Sequence, residues 1–259
     1  MRLIFATAFL GLTVLITGLA FAAENPEVAK RRSVERKMFT DAEITYGFFT
    51  IAFGAELRLT QIDRIRKYDS PIRVYFDNRA KPDRRSQVAV AVTDIRSRVR
   101  NLDLAVTNKR NDANVFVTLV HDRDLAHTIR SIYGREFAQR IQRSLDPQCL
   151  TSFIKDKKFR IIRSEVILVV DTGEFMFYDC LYEEMLQALG PINDDPTVPW
   201  TMFNDDVHVG FFDVYDQYLL NLLYHPRIKA GMTRDEVRLV LPKILPEVRA
   251  WISEVNKLP

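Results

Sequence analysis

Between residues 72 and 189 short β-branched runs alternate with segments of helical period, and this alternation limits the possible folds more than any other feature. Ile72 to Phe76 alternates apolar residues with Arg73 and Tyr75, as a half-buried strand does. From Ser86 to Leu102 the apolar residues Val88, Val92, Ile95, Val99 and Leu102 fall on one helical face, with the arginines of that stretch on the others. Asn114 to Val120 is β-branched and aromatic, a second and central strand. Asp122 to Leu145 reads as one or two amphipathic helices broken near Gly134. Ile161 to Val170 reads as a strand pair or one long bent strand. Tyr178 to Leu189 closes the series as a helix, stopped by Gly190-Pro191. The order predicts an α+β chain with α/β-like alternation, a mixed sheet and helices at the C-terminal end.

The flanks are simpler. Residues 24–38 are polar and carry Lys30-Arg31-Arg32 and Arg36-Lys37, which predicts a solvated leader to the fold. Thr40-Asp41-Ala42-Glu43 has the form of a capping box and opens an apolar helix from Ile44 to Leu57. Residues 191–212, with further prolines and several aspartates, read as loop. Phe211 to Leu223 then reads as a helix packed through Val214, Tyr218, Leu219 and Leu222. Thr233-Arg234-Asp235-Glu236 is a second capping box. The helix it opens contains Pro242 and Pro246, each expected to bend or interrupt it.

Export is written at the N-terminus. Residues 1–22 hold Arg2, an uncharged apolar stretch from Leu3 to Leu19, and the small-x-small end Ala20-Phe21-Ala22, the pattern of a signal peptide cleaved near Ala22. Nothing downstream is apolar for the ~18 residues a span requires, so no membrane span is expected after cleavage. In the periplasm Cys149 and Cys180, the chain's two cysteines, are expected to form one disulfide. Charge is nearly balanced, 37 Lys and Arg against 34 Asp and Glu, which argues against a nucleic-acid binder. Nucleotide and serine-hydrolase motifs are missing as well.

One segment carries the form of a catalytic motif without its ligands. Metzincin zinc proteases carry H-E-x-x-H-x-x-G-x-x-H/D: histidines one helical turn apart bind zinc, and a glutamate activates the bound water. Here the spacing persists as E-E-x-x-Q-x-L-G-x-x-N. Glu183, Gln187 and Asn193 stand at the three ligand positions, Glu184 at the general base, and Gly190 at the turn. Trp200-Thr201-Met202-Phe203 stands where a methionine turn would lie, followed by Asp213 ahead of a helix. This degenerate pattern resembles a zincin-like fold over about residues 70–230. Glutamate, glutamine and asparagine make a weak hard-oxygen set, so no cofactor is expected, or at most a divalent metal held weakly by oxygen. Asp194 is an alternative third ligand. The four histidines, His121, His127, His208 and His225, read as surface or capping residues. Gln187, Asn193 and Asn204 are expected to form a hydrogen-bond network in place of the metal, with Met202 packed beneath and Asp205 in the same loop.

Several separated blocks of the sequence also resemble a known family: FFTIAFGAEL, RIRKYDSPIRVYFD, SEVILVVD, YEEMLQALGPINDD, TMFND and LLYHPRIKAGM. They are similar to the proteobacterial family catalogued as domain of unknown function 2927. The resemblance implies an exported or lipid-anchored protein and brings no reaction, substrate or partner with it. The resulting organisation is a signal peptide (1–22), an N-terminal helical segment packed on the body (23–67) and a zincin-like domain (68–259). The functional expectation is a non-catalytic binding protein for a peptide or envelope component. Two alternatives stand beside it: a metal-dependent hydrolase with Glu184 as base, and a structural component of the envelope.

Overall fold

The structure, a computed structural model, describes residues 24–54, 63–144 and 148–258. The leader 1–22 lies outside the described residues. The helix expected to reach Leu57 instead ends at Ala52 with Phe53 as its C-cap, and 55–57 lie outside the described residues. Among the described residues five strands form one sheet: β1 (Ile72–Asn78), β2 (Leu104–Val106), β3 (Val115–Val120), β4 (Cys149–Lys155) and β5 (Ile161–Val169). Their spatial order is β2-β1-β3-β5-β4. β1 pairs in parallel with β2 (Val74 opposite Val106) and with β3 (Val74 opposite Val115), and β3 pairs in parallel with β5 (Val117 opposite Val166). β4 alone is antiparallel, pairing with β5 (Thr151 opposite Val166) and lying at the sheet's edge. The chain is therefore α+β with a mixed sheet, as the alternation predicts.

Among the described residues eight α-helices surround it: α1 (Pro26–Ser33), α2 (Asp41–Ala52), α3 (Arg85–Arg98), α4 (Asp122–Tyr133), α5 (Arg135–Ser144), α6 (Glu174–Gln187), α7 (Val214–Leu223) and α8 (Arg234–Asn256). The period of 2 divides the sheet between two cores. Val115, Val117, Leu119, Val166 and Leu168 join the large cluster with α2, α3, α6, α7 and α8. Val120, Leu150, Ile167 and Val169 face the other way, onto Leu125 and Ile129 of α4 and Ala138 and Ile141 of α5. All six residues of β3 are buried, so its sequence is apolar on both faces.

Both capping boxes form: Thr40 and Glu43 open α2, and Thr233 and Glu236 open α8. Gly134, at φ +84°, separates α4 from α5, as its position predicts.

Two further expectations need correction, at residues 26–33 and in α8; the single-strand alternative for 161–170 holds, and two strands, β2 and β4, carried no sequence signal. Residues 26–33 are a helix packed on the body, not a solvated leader. Asn25 caps it, Val28 is buried, and the guanidinium groups of Arg31 and Arg32 lie over the rings of Phe175 and Phe211. Ile161–Val169 is one strand, and its antiparallel partner is the mixed-polarity β4, unmarked by any regular alternation. β2, three residues long, is too short for period 2 to register. Finally, α8 runs unbroken through Pro242 and Pro246. Both prolines are exposed, so the carbonyls they leave unpaired reach water while Val237, Leu241, Ile244, Leu245, Val248 and Ile252 hold the other face in the core.

Candidate functional site

Helix α6 runs alongside the edge strand and is fastened to it. Cys180 and Cys149 of β4 form a disulfide with a Cα–Cα distance of 5.9 Å. The Thr151 hydroxyl donates to the Glu184 carbonyl at 2.9 Å, and Ser164 of β5 donates to the Ala188 carbonyl at 2.8 Å. The helix then stops at a glycine that no other residue replaces. Gly190 has φ +136°, and a Cβ there would lie 2.3 Å from the Arg66 carbonyl oxygen. The stop turns the chain sharply into residues 191–212, which return across the same helix.

That return is tied down at Asp179. Its carboxylate accepts the backbone N–H groups of Val209 (2.7 Å) and Gly210 (3.0 Å), and His208 Nδ1 lies 2.7 Å away. Burial outweighs these partners and raises the Asp179 pKa.

One turn further along α6, Glu183 meets Asp194 and Asp205. One carboxylate oxygen from each lies within 4.8 Å of the other two. Asp194 also accepts the Gln187 side-chain amide, which is 3.2 Å from each of its oxygens. No hydrogen-bond donor among the described residues reaches Glu183. Burial, and then the charges of Glu184, Asp194, Asp179 and Asp205, push its pKa well above the ordinary carboxylate value. Three converging carboxylates offer hard oxygens. Their chemistry fits calcium, magnesium or manganese and does not fit zinc, which prefers nitrogen and sulfur.

Beyond the loop a second carboxylate group lies deeper. Asp213 caps α7 by accepting the Asp216 N–H at 2.8 Å. Asp216 accepts the Thr201 hydroxyl at 2.5 Å and the Met202 N–H at 2.9 Å. Asp213 and Asp216 are wholly enclosed, and Glu35 is close by, accepting the Val214 N–H at 2.7 Å.

The family described as a protein of unknown function, DUF2927, matches residues 41–243. The chain belongs to that family. No curated protein and no solved structure matches it. The match spans α2, the whole sheet, α6, α7 and the first part of α8, so the disulfide, the Glu183 cluster and the Asp213–Asp216 pair all lie within the DUF2927 region.

In this DUF2927 chain the residues singled out by sequence are dispersed. Of the expected ligands Glu183 and the alternative third ligand Asp194 join the carboxylate cluster, together with Asp205, which was expected only in the same loop. Gln187 is one bond away through Asp194, and Asn193 turns to α2, donating to the Thr50 carbonyl at 3.1 Å against Gly54. Asn204 donates to the Val198 carbonyl at 3.2 Å, so Gln187, Asn193 and Asn204 do not bond to one another. Glu184, one residue from Glu183, is buried and outside the converging group, as the ~100° between successive helical positions dictates. Met202 is buried in the main core with its N–H held by Asp216. Among the histidines His225 is buried beside Glu247 (3.2 Å), not a surface residue, and His208 serves Asp179. Sequence reading passed over Asp179 and Asp216. The first had a usable signal, since it lies four residues before Glu183 on the same helical face.

Proposed function

We propose that this DUF2927 protein is an exported, non-catalytic binding protein of zincin-like architecture, and that it holds an extended peptide or envelope segment beside β4. One observation carries the reading: the single antiparallel strand of the sheet lies at its edge, next to the helix with the E-E-x-x-Q sequence, and is covalently fixed to that helix. A zincin cleft lies between such a helix and such a strand. An edge strand offers outward N–H and C=O groups to which an extended chain can add. Ile154 on β4 is 59% exposed and supplies apolar contact at this edge. The disulfide supports an oxidising compartment. The apolar leader, outside the described residues, supports export with cleavage near Ala22 to the periplasm. No helix among the described residues is long and apolar enough to cross a membrane.

The test is selection of peptides on the oxidised protein, followed by hydrogen exchange. Bound peptide should protect the β4 amides, and Ile154→Asp should weaken binding by about tenfold, or ~1.4 kcal/mol. Selected peptides that protect only other elements would remove the reading. Absence of any ligand would leave the structural-component alternative.

The convergence of Glu183, Asp194 and Asp205 favours one second reading, a metal-dependent hydrolase with a hard cation held by those oxygens. Bound calcium or manganese would neutralise the cluster. Millimolar calcium should then raise the melting temperature of the wild type and not of Glu183→Gln. Hydrolysis of any peptide that disappears in Glu183→Gln would replace the binding reading with this one. Glu184 stands outside the cluster, so its role as general base requires the helix to present it differently when loaded.

A further inference from the structure

A second recess lies away from β4, where the end of α3, the end of α7 and the middle of α8 meet. It has a volume of about 320 Å³ and is lined by Arg100, Asn101, Asn221, Arg227, Glu247 and Trp251, among others. We propose that this cavity binds a monosaccharide-sized sugar acid, with Arg100 as the carboxylate receptor and the Trp251 indole as the platform for the ring.

The charges in the recess leave one positive group over. Glu247 serves two partners, His225 Nε2 at 3.2 Å and the Arg227 guanidinium at 3.5 Å. Arg100 has no carboxylate partner among the described residues. Its guanidinium lies 5.7 Å from the centre of the Trp251 ring, at the mouth of the cavity. A planar guanidinium with free donors beside an aromatic face matches a single carboxylate carried on a ring. The nearby C-terminal end of α7 does not oppose an anion, because the buried Lys67 ammonium sits on its last carbonyl, 2.8 Å from Leu223 O, and also 3.0 Å from Ile228 O in the turn beyond the helix.

The floor is rigid before any ligand arrives. Trp251 Nε1 donates to the Arg98 carbonyl at 2.9 Å, which fixes the plane of the indole. Asn221, buried, accepts the Arg100 N–H at 3.0 Å and donates to the carbonyls of Arg98 (2.9 Å) and Gln217 (2.8 Å). These bonds fix the backbone from which Arg100 projects, so little ordering remains to be done on binding. Six of the nine lining residues are polar or charged, and apolar atoms, the indole plane among them, make up the rest of the wall. That suits a hydroxyl-rich ring, whose C–H face gains dispersion contact on indole while its hydroxyls bond to Asn101 and Glu247. A flat aromatic acid would leave those groups unpaired. The volume is at the low end of the ~300–1,000 Å³ of small-molecule sites, which sets the size at one sugar unit and not a chain.

Calorimetric titration of the oxidised protein with glucuronate, glucose and inorganic phosphate tests this. Glucuronate should bind saturably at one equivalent, at least about tenfold more tightly than glucose or phosphate. Arg100→Gln should reduce glucuronate binding to the level of glucose. Arg100 is exposed, so the variant should melt as the wild type does and a loss of binding is not a loss of fold. Any one of four results would overturn the proposal: no saturable glucuronate binding below ~10 mM, equal binding of glucose, phosphate binding as tight as glucuronate, or unchanged affinity in Arg100→Gln.

Discussion

Two groups of carboxylates flank the loop 191–212, and they differ in what surrounds their oxygens. Asp213 and Asp216 are wholly enclosed, yet backbone and hydroxyl donors reach both: Thr201, Met202 and the amide of Asp216 itself. Glu183, Asp194 and Asp205 are less deep and face one another; the Gln187 amide meets Asp194, while no hydrogen-bond donor among the described residues reaches Glu183. Burial raises the pKa in each group. A carboxylate with donors in place acts as a strut of the fold. One that meets only other carboxylates spends stability on a place where something outside the chain can bind.

The largest effect should follow removal of the strut. Asp216→Ala leaves the Met202 N–H and the Thr201 hydroxyl buried without an acceptor, at roughly 1–3 kcal/mol for each group stranded. Urea unfolding near pH 5 should show a loss of about 2–6 kcal/mol on that basis. A loss under ~0.5 kcal/mol would mean that the turn at Trp200–Phe203 holds without Asp216, and the contrast between the groups would fail.

The next effect is on pH dependence. Burial pushes Asp216 up to about 7, above the ~3.9 of an unfolded aspartate. A raised carboxyl pKa means the fold prefers the protonated form. Its contribution is therefore full below about pH 4 and lost as the pH rises through about 7. Asp216→Asn carries no charge at any pH and keeps an acceptor oxygen. The stability of the variant relative to wild type should rise across that window, by at most about 1.4 kcal/mol per pH unit. A relative stability that stays flat from about pH 4 to about pH 7 would show that the donors win over burial.

How far the sequence foretold these features depended on the range of the interactions involved. Periods of 2 and 3.6 located β1, β3, β5 and most helices because each reflects a face buried against the same core. Both capping boxes formed because a capping box is closed by residues three apart. Cys149 and Cys180 were legible as a pair because there were no others. β4 was not legible, since an edge strand with residues of mixed polarity carries no clean alternation. The site was half legible. The spacing after Glu183 located the helix and the Gly190 stop, but which aspartate returns to the helix depends on the path of the loop. Asp179 sets that path through Val209 and Gly210, some thirty residues away. Asn193, at the position the motif marks, is claimed by α2 through Thr50, a contact no local pattern encodes.

The smallest effect should appear in the open group, and its sign is what distinguishes the two. Glu183→Gln removes the charge that burial, Glu184, Asp194, Asp179 and Asp205 all disfavour, and it strands no donor, because none among the described residues reaches that side chain. In cation-free buffer the variant should equal the wild type near pH 4 and exceed it as the pH rises, by up to about 1 kcal/mol near neutrality after discounting for its partial exposure. Glutamine is close in size to glutamate, so the surrounding packing stays as it is. Denaturation of both proteins at the two pH values, with and without millimolar calcium, supplies the comparison. On the metal-dependent reading calcium should stabilise the wild type and reduce or reverse the advantage of the variant, because a cation that binds the native carboxylates stabilises only the chain that has all three. On the binding reading it should leave the difference unchanged. A variant that is less stable than wild type in cation-free buffer at both pH values would show that Glu183 is held by the fold as Asp216 is, and the two groups would be one kind of structure.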